Sequence, residues 1–318
     1  MKECISIIIP TINSEKFIGL TLNELADSLF VRGYNYELIL INDGSHDNTS
    51  KIVKDLLSSK TFGKAFKKIV FIENDRNYGQ HVSNYIGFQH ANGNYIYTMD
   101  DDLQNPPSEL RKLLLFAQKN PDIDVIYGKF SKKKHAMYRN IGSKFINWMN
   151  KKIFNVQDKN LIISNVRLIK KSVIKKILMD NSHEPYVPGL VLKYSSSYAN
   201  VNVDHKSKSF GKSNYNLRKL IKLSSYLLFF HSNYPLKVIS IFGFISSFII
   251  LFLGSYYLIT TLINGGNVPG WASIFLLISF SNFIIFLFLS IITEYLVLII
   301  KQTNINKNIY SSKINSFK

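Results

Sequence analysis

The sequence predicts an α/β protein with a Rossmann-like, mostly parallel sheet, followed by a two-helix transmembrane hairpin. The first prediction rests on short apolar runs that alternate with helical segments up to residue 127, a pattern typical of βαβ units. The second rests on two uncharged apolar runs, residues 238–263 and 272–293. As a helix, each run is long enough to cross a hydrocarbon core of about 30 Å.

Five runs in the first part of the chain are rich in β-branched and apolar residues and end at turn residues, as buried parallel strands do. We predict strands at residues 5–9, 37–41, 68–73, 95–99 and 124–127. Capping residues and prolines at the starts of the intervening segments predict helices. These helices are expected at residues 15–29, from 47–49 to 57, 79–91 and 106–119.

Beyond this α/β domain, which we assign to residues 1–200, the chain changes character. We expect a basic amphipathic juxtamembrane segment at 201–235, two transmembrane helices at 236–301 and a flexible tail at 302–318. The turn between the apolar runs carries no Lys or Arg, whereas the tail is lysine-rich. The positive-inside rule therefore predicts a multi-pass inner-membrane protein with the α/β domain and both termini in the cytoplasm. The alternative is a pair of buried core helices in a soluble protein, which runs of this length disfavour.

Charge and cysteine content restrict the partners. Lys and Arg total 39 against 21 Asp and Glu, a formal net charge of +18, which favours a polyanionic partner. The apolar runs favour a lipid bilayer and phosphates over nucleic acid, for which no motif is present. Cys4 is the single cysteine, so no intramolecular disulfide can form, as suits a reducing cytoplasm. A homo-oligomer is left open.

Acidic residues follow two of the predicted strands. Asp43 comes after the second strand, and Asp100, Asp101 and Asp102 come after the fourth. Ligands of open α/β sheets bind beyond the carboxyl ends of the strands, so these acids form one candidate site. In an extended segment Asp100 and Asp102 share a side, where both could hold Mg²⁺ or Mn²⁺, and Asp101 points elsewhere. The alternative is a solvated acidic turn.

Four motifs follow one another along the chain. They are Pro10–Glu15 (PTINSE), Asn42–Ser45 (NDGS), Asn77–His81 (NYGQH) and Met99–Pro107 (MDDDLQNPP). In this order they resemble glycosyltransferase family 2, and in particular its polyprenyl-phosphate glycosyltransferases. The basic stretch at 205–215 and the paired apolar runs extend the resemblance over nearly the whole chain. The resemblance implies a GT-A fold and an inverting transfer of a sugar from a nucleotide-sugar donor.

The resemblance also implies roles for individual residues. The donor-binding set that it implies is Pro10, Thr11, Glu15, Asp43, Asn77, Gly79 and Asp100. Asp100 and Asp102 would hold the metal that bridges the donor diphosphate, and Gln104 would lie beside it. The alternatives are plain structural roles: Asp43 as a turn former, and Asn77 and Gly79 as the start of a helix.

The acceptor is expected to be a phosphate. Relatives often carry an Asp in the segment that corresponds to residues 162–168, but here it has no acid. A phosphate monoester is largely dianionic at neutral pH, since its second pKa is about 6, and needs no general base. The predicted phosphate contacts are Arg139, Arg167, Lys206, Lys208 and Ser213, and the predicted catalytic residues are Asp100, Asp102, Gln104 and Arg167. Lys208 stands where relatives often have Arg, so a bidentate contact is lost.

Residues 126–157 contain no acid but many lysines, with apolar residues at helical spacing. We interpret this as a basic amphipathic helix suited to an anionic membrane surface, the alternative being ordinary packing with solvated lysines. Altogether the sequence predicts metal-dependent transfer of a sugar from a UDP-sugar to a polyprenyl phosphate such as undecaprenyl phosphate. Extension of a lipid-linked or cell-surface glycan by a membrane-bound glycosyltransferase and a non-catalytic scaffold are the alternatives.

Overall fold

The computed structural model describes residues 3–29, 33–59, 62–130, 137–158, 160–180, 185–204 and 312–317, with scattered positions between 225 and 299. The chain divides into two compact units. One comprises Met1–Tyr215 with Asn306–Lys318, and the other comprises Asn216–Ile305.

Within the described part of the first unit, eight strands form one sheet in the order β7-β5-β6-β4-β1-β2-β3-β8. The strands are β1 Glu3–Thr11, β2 Tyr34–Asn42, β3 Lys68–Asn74, β4 Tyr95–Thr98, β5 Val125–Phe130, β6 Arg167–Lys170, β7 Tyr198–Val203 and β8 Ser312–Phe317. The β1–β2, β1–β4, β2–β3 and β5–β7 pairs are parallel. Strands β6 and β8 run against their neighbours, so the mostly parallel sheet is confirmed.

Helices cover both faces of this sheet. They are α1 Ile18–Ser28, α2 Thr49–Leu57, α3 Gln80–His90, α4 Leu110–Lys119, α5 Met137–Ile153, α6 Lys171–Leu178 and α7 Val187–Tyr194. Alternate residues of β1 point to opposite faces: Ile7 joins the core cluster that contains α1, α2 and α4 residues. Ile8 joins the cluster that contains α3, α6 and α7 residues. Burial on both faces explains why the strands are continuous apolar runs.

Three differences from the predicted elements have physical causes. Helix α1 begins at Ile18 rather than at residue 15, because residues 15–17 form a turn in which the Phe17 N–H donates to the Ser14 carbonyl at 2.9 Å. Strands β6 and β7 are short, with four and six residues, and too mixed in composition to stand out. The flexible tail predicted at 302–318 is wrong for Ser312–Phe317, which pair antiparallel with β3 and form the edge strand β8.

Most residues of the expected transmembrane helices at 236–301 lie outside the described part of the chain. Among the residues that are described, no helix has both the length and the apolar content to cross a bilayer. The predicted hairpin therefore stays a prediction.

Candidate active site

The ends of several strands meet at one edge of the sheet. Strands β2 and β3 lie on one side of β1, and the next strand, β4, lies on the other side of β1. Such a reversal of strand order opens a crevice beyond the carboxyl ends of the two strands that flank it, where ligands of α/β proteins bind. Thr11 is the last residue of β1, Asp43 follows β2, and Asp100 lies just beyond β4. All three therefore lie at this edge of the sheet. Arg167 reaches the same edge because β6 runs the opposite way and pairs it with Thr98.

Asp100 is held by two amide side chains. Gln80 Nε2 donates to its Oδ1 at 2.6 Å, and Asn105 Nδ2 donates to its Oδ2 at 3.4 Å. Burial, followed by the charges of Asp102 and Asp101, raises the pKa of Asp100 to about 6. The next residues form a tight loop in which Leu103 adopts a positive φ of 56°. Non-glycine residues in this conformation are uncommon and concentrate at functional sites.

Asp101 points away from Asp100, as the alternation predicts. Its carboxylate accepts a short hydrogen bond from the Ser14 hydroxyl, and its carbonyl accepts one from the Thr21 hydroxyl at 2.7 Å. Burial raises the pKa of the Asp101 carboxyl. These contacts fix the acidic loop to the loop after β1 and to α1, so Asp101 has an architectural role that the sequence did not indicate.

Asp43 fastens the loop between β3 and α3. Its Oδ1 accepts hydrogen bonds from Asn74 Nδ2 and the Tyr78 N–H, each at 2.9 Å, and its Oδ2 accepts one from the Gly79 N–H at 2.8 Å. The side chain is almost fully buried, with 3 % exposure. If Asp43 also contacts the donor as expected, one carboxylate would bind both the donor and the backbone of the NYGQH motif.

Glu15 joins the PTINSE motif to the start of α2, which follows the NDGS motif. Its carboxylate accepts hydrogen bonds from the backbone N–H and side-chain amide of Asn48, each at 3.2 Å. The Thr11 carbonyl accepts the Asp43 N–H at 2.9 Å. Pro10 lies buried within β1, opposite Ile41 of β2. The expected donor-binding residues of these two motifs thus lie together at one edge of the sheet.

Arg167 is a fully buried cation. Its exposed fraction is 0 %, and its Nε donates to Thr98 Oγ1 at 3.2 Å. Within the described part of the chain, neither of its terminal nitrogens, Nη1 and Nη2, has a hydrogen-bond partner. Burial lowers the pKa of Arg167, while the neighbouring Tyr127 and Asp100 raise it. A buried guanidinium with two unused nitrogens has N–H groups that could donate to an anion.

His81 lies beside this cation. Its ring meets that of Tyr186 edge-on, with centroids 5.0 Å apart. Burial and the charge of Arg167 lower the pKa of His81 to about 4, so the imidazole is neutral at physiological pH. A neutral ring leaves the positive charge of Arg167 available to an anion. His81 belongs to the NYGQH motif, but the sequence alone indicates no role for it.

Of the remaining predicted residues, some have side chains that the structure describes and others do not. Gln104 follows Asp102 directly, and its N–H donates to Asp102 Oδ1 at 3.2 Å. Asn77 is exposed, and Gly79 caps α3 with a φ of 91°. Arg139 lies on α5, in a stretch whose side chains are not described. Lys206, Lys208 and Ser213 lie outside the described residues, so their roles stay predictions.

The residues at the end of β4 fit a hard divalent cation. Asp100 and Asp102 supply carboxylate oxygens, the ligands that Mg²⁺ and Mn²⁺ prefer. The raised pKa of Asp100 reflects the cost of holding buried negative charges side by side, and a cation would offset that cost. No group of three or more His, Cys, Asp or Glu side chains suited to a metal occurs among the described residues. Such a cation would therefore need further oxygen ligands from a phosphate or from water.

The raised pKa of Asp100 gives a stability prediction for the metal-free protein. A carboxyl whose pKa is about 6 in the fold and near 4 when unfolded destabilises the fold increasingly as pH rises through that range. We therefore expect Asp100→Asn to raise Tm in EDTA, by roughly 2–4 °C more at neutral pH than at about pH 5. Thermal unfolding at both pH values, with the exposed Asp55→Asn as control, measures this. A Tm of the Asp100→Asn protein below that of the wild type at neutral pH would contradict the raised pKa of Asp100.

Comparisons with known proteins identify the family of the chain. Residues 6–178, more than half of the chain, match the family described as glycosyl transferase family 2. The chain is 32% identical over 266 residues to an undecaprenyl-phosphate 4-deoxy-4-formamido-L-arabinose transferase of Shewanella sediminis, covering 83% of this chain and 78% of that protein. It is 30% identical over 241 residues to the protein of the same name from Photorhabdus laumondii, covering 75% and 71%.

Solved structures give the fold. The glucosyl-3-phosphoglycerate synthase of Mycobacterium tuberculosis superposes with a TM-score of 0.51 at 14% identity, over 71% of this chain and 76% of that one. The GT-A fold expected from the motifs is confirmed, as is the resemblance to the polyprenyl-phosphate glycosyltransferases. The chain belongs to glycosyltransferase family 2 and is a glycosyltransferase.

Proposed function

We propose that this enzyme transfers a sugar from a UDP-sugar to a polyprenyl phosphate, with inversion and with the help of Mg²⁺ or Mn²⁺, at the cytoplasmic face of a membrane. The observation that carries the proposal is the juxtaposition of a carboxylate pair and a buried, incompletely paired arginine. Arg167 pairs in the sheet with Thr98, two residues before Asp100, and each of Asp100 and Arg167 shifts the pKa of the other. One reaction that needs both is the transfer of a sugar between two phosphates.

The carboxylates would serve the donor. Asp100 and Asp102 would hold the cation at the edge of the sheet, and the donor diphosphate would complete its oxygen ligands. When bound, the metal stabilises the negative charge that develops on the departing nucleoside diphosphate. The Mycobacterium tuberculosis synthase of the same fold was crystallised with Mn²⁺ and UDP, which supports this use of the fold.

Arg167 would serve the acceptor. A guanidinium offers paired N–H groups that match two phosphate oxygens, and Nη1 and Nη2 of Arg167 are unused within the described residues. Because the Arg167 side chain is buried from solvent, some of the residues that cover it have to move when the phosphate binds. The names of both curated relatives contain undecaprenyl-phosphate, which supports a polyprenyl phosphate as the acceptor.

A phosphate acceptor also explains why no basic side chain is needed to activate it. The segment before Arg167 offers Asn165 rather than an acid, and the Asn165 carbonyl accepts from the Thr98 hydroxyl at 2.6 Å. An acceptor phosphate that is already dianionic attacks the anomeric carbon without losing a proton. The carbon–oxygen bond to the diphosphate breaks on the opposite side, and this single displacement inverts the anomeric centre.

Helix α5 supplies an argument for the membrane surface. Phe145 and Trp148 are exposed on it, and their rings stack with centroids 5.9 Å apart. Lys152 Nζ lies 5.2 Å from the Trp148 ring, while Met149 on the same helix is buried. Aromatic rings beside lysine on one helix face suit the interface of an anionic bilayer.

The reaction is tested by measuring nucleoside diphosphate release from the full chain in lipid, with Mg²⁺ or Mn²⁺, undecaprenyl phosphate and a panel of nucleotide sugars. We expect release only with the lipid phosphate and none from Asp102→Asn. Arg167→Lys keeps the positive charge but loses the paired N–H groups of the guanidinium. We therefore expect kcat/KM to fall about 10- to 100-fold, as for the loss of a charge-assisted hydrogen bond. Arg111→Lys, at an exposed arginine of α4, is the matched control.

Undecaprenol, which lacks the phosphate, is the acceptor control. Equal release with undecaprenol would contradict a phosphate nucleophile. Release that needs a soluble or lipid-linked glycan instead would favour glycan extension. A folded protein that releases nothing with any donor would contradict the proposed reaction.

The membrane placement of α5 is tested by fluorescence. In a Trp271→Phe protein, Trp148 is the remaining tryptophan, and we expect lipids brominated near the headgroup to quench it. Because the ring would lie at the interface, lipids brominated near the chain ends should quench it less. Emission that no brominated lipid changes would contradict the placement.

A further inference from the structure

We propose that Gln80 is a positioning residue that orients Asp100 for the divalent cation. The inference rests on the proposed function, since it concerns the same metal. Gln80 stands in the NYGQH motif, twenty residues before Asp100, and its amide donates to Asp100 Oδ1 at 2.6 Å. This is the shorter of the two amide contacts that Asp100 receives from Gln80 and Asn105.

The two amides hold the carboxylate in one orientation. Gln80 binds one oxygen of Asp100 and Asn105 binds the other. A carboxylate oxygen has two lone-pair sites, so a hydrogen bond from Gln80 leaves the second site of Oδ1 for a cation. Groups that hydrogen-bond a metal ligand in this way typically change metal affinity 10- to 100-fold when they are removed.

The backbone of Gln80 is fixed from the neighbouring strand. Asp43, at the end of β2, binds the N–H groups of Tyr78 and Gly79, and Gln80 is the first residue of α3. The loop also lies against Gly44, where an added Cβ would come within 2.5 Å of the Arg76 carbonyl carbon. The NDGS and NYGQH motifs thus form one packed structure that presents the Gln80 amide to Asp100.

The chemistry of an amide suits Gln80 to this role. A neutral carboxamide has no proton to transfer near neutral pH and is a weak ligand compared with a carboxylate. It also leaves the net charge of the site unchanged. Its contribution is therefore the orientation of Asp100, and its loss should affect metal binding before it affects the chemical step.

The test is the affinity of the full-length protein for Mn²⁺ in the presence of UDP, measured by electron paramagnetic resonance of the free ion. We expect Gln80→Leu to weaken Mn²⁺ binding at least about 10-fold while Tm stays at the wild-type value. Gln89→Leu is the matched control, because it removes an exposed amide from the other end of the same helix.

Kinetics separate a positioning role from a general structural one. For Gln80→Leu we expect the Mn²⁺ concentration at half-maximal activity to rise, with kcat recovered at saturating Mn²⁺. Wild-type affinity in Gln80→Leu would overturn this inference alone and leave the proposed reaction standing. A wild-type protein that binds no Mn²⁺ or Mg²⁺ with UDP would overturn it together with the metal dependence proposed above.

Discussion

The electrostatic cost of three adjacent carboxylates at the end of a buried strand is the constraint on which the rest of the site depends. Burial and mutual repulsion raise the pKa of Asp100 to about 6, and burial raises that of Asp101. Among the described residues, the side chains that donate hydrogen bonds to these two carboxylates are neutral: Gln80 and Asn105 for Asp100, and Ser14 for Asp101. These donors fix the positions of the carboxylates, and the charge of Arg167 offsets that of Asp100 only in part, so the fold retains an attraction for a cation.

The loops at this edge of the sheet hold one another in place. Each contact joins two different elements, and together they link the ends of β1, β2 and β4 with the start of α3. The pairs are Ser14 with Asp101, Glu15 with Asn48, Asp43 with Gly79, and Gln80 with Asp100. Substitution of Asp43 or Glu15 would therefore disturb the whole edge, and lost activity in such variants does not by itself identify a donor contact. Metal affinity and Tm distinguish the two effects.

The sequence predicts what local patterns and topology determine. Central strands such as β1 and β2 are continuous apolar runs, and an alternating α/β order places Asp43 and Asp100 at one edge of the sheet. Contacts between distant residues could not be predicted, because they depend on strand register. Arg167 lies at the site because β6 is antiparallel to β4. Gln80 contacts Asp100 although twenty residues of chain separate them. The polar strand β8 carries no periodic signal long enough to separate it from a tail.

The central claim is that Asp100 and Asp102 bind a cation that also contacts the donor diphosphate. The most direct measurement is electron–nuclear double resonance of Mn²⁺ added with UDP to the full-length protein. We expect a hyperfine coupling between the bound Mn²⁺ and the phosphorus nuclei of UDP that is lost in the Asp100→Asn, Asp102→Asn double variant. A bound Mn²⁺ without phosphorus coupling, or a coupling that the double variant retains, would contradict it.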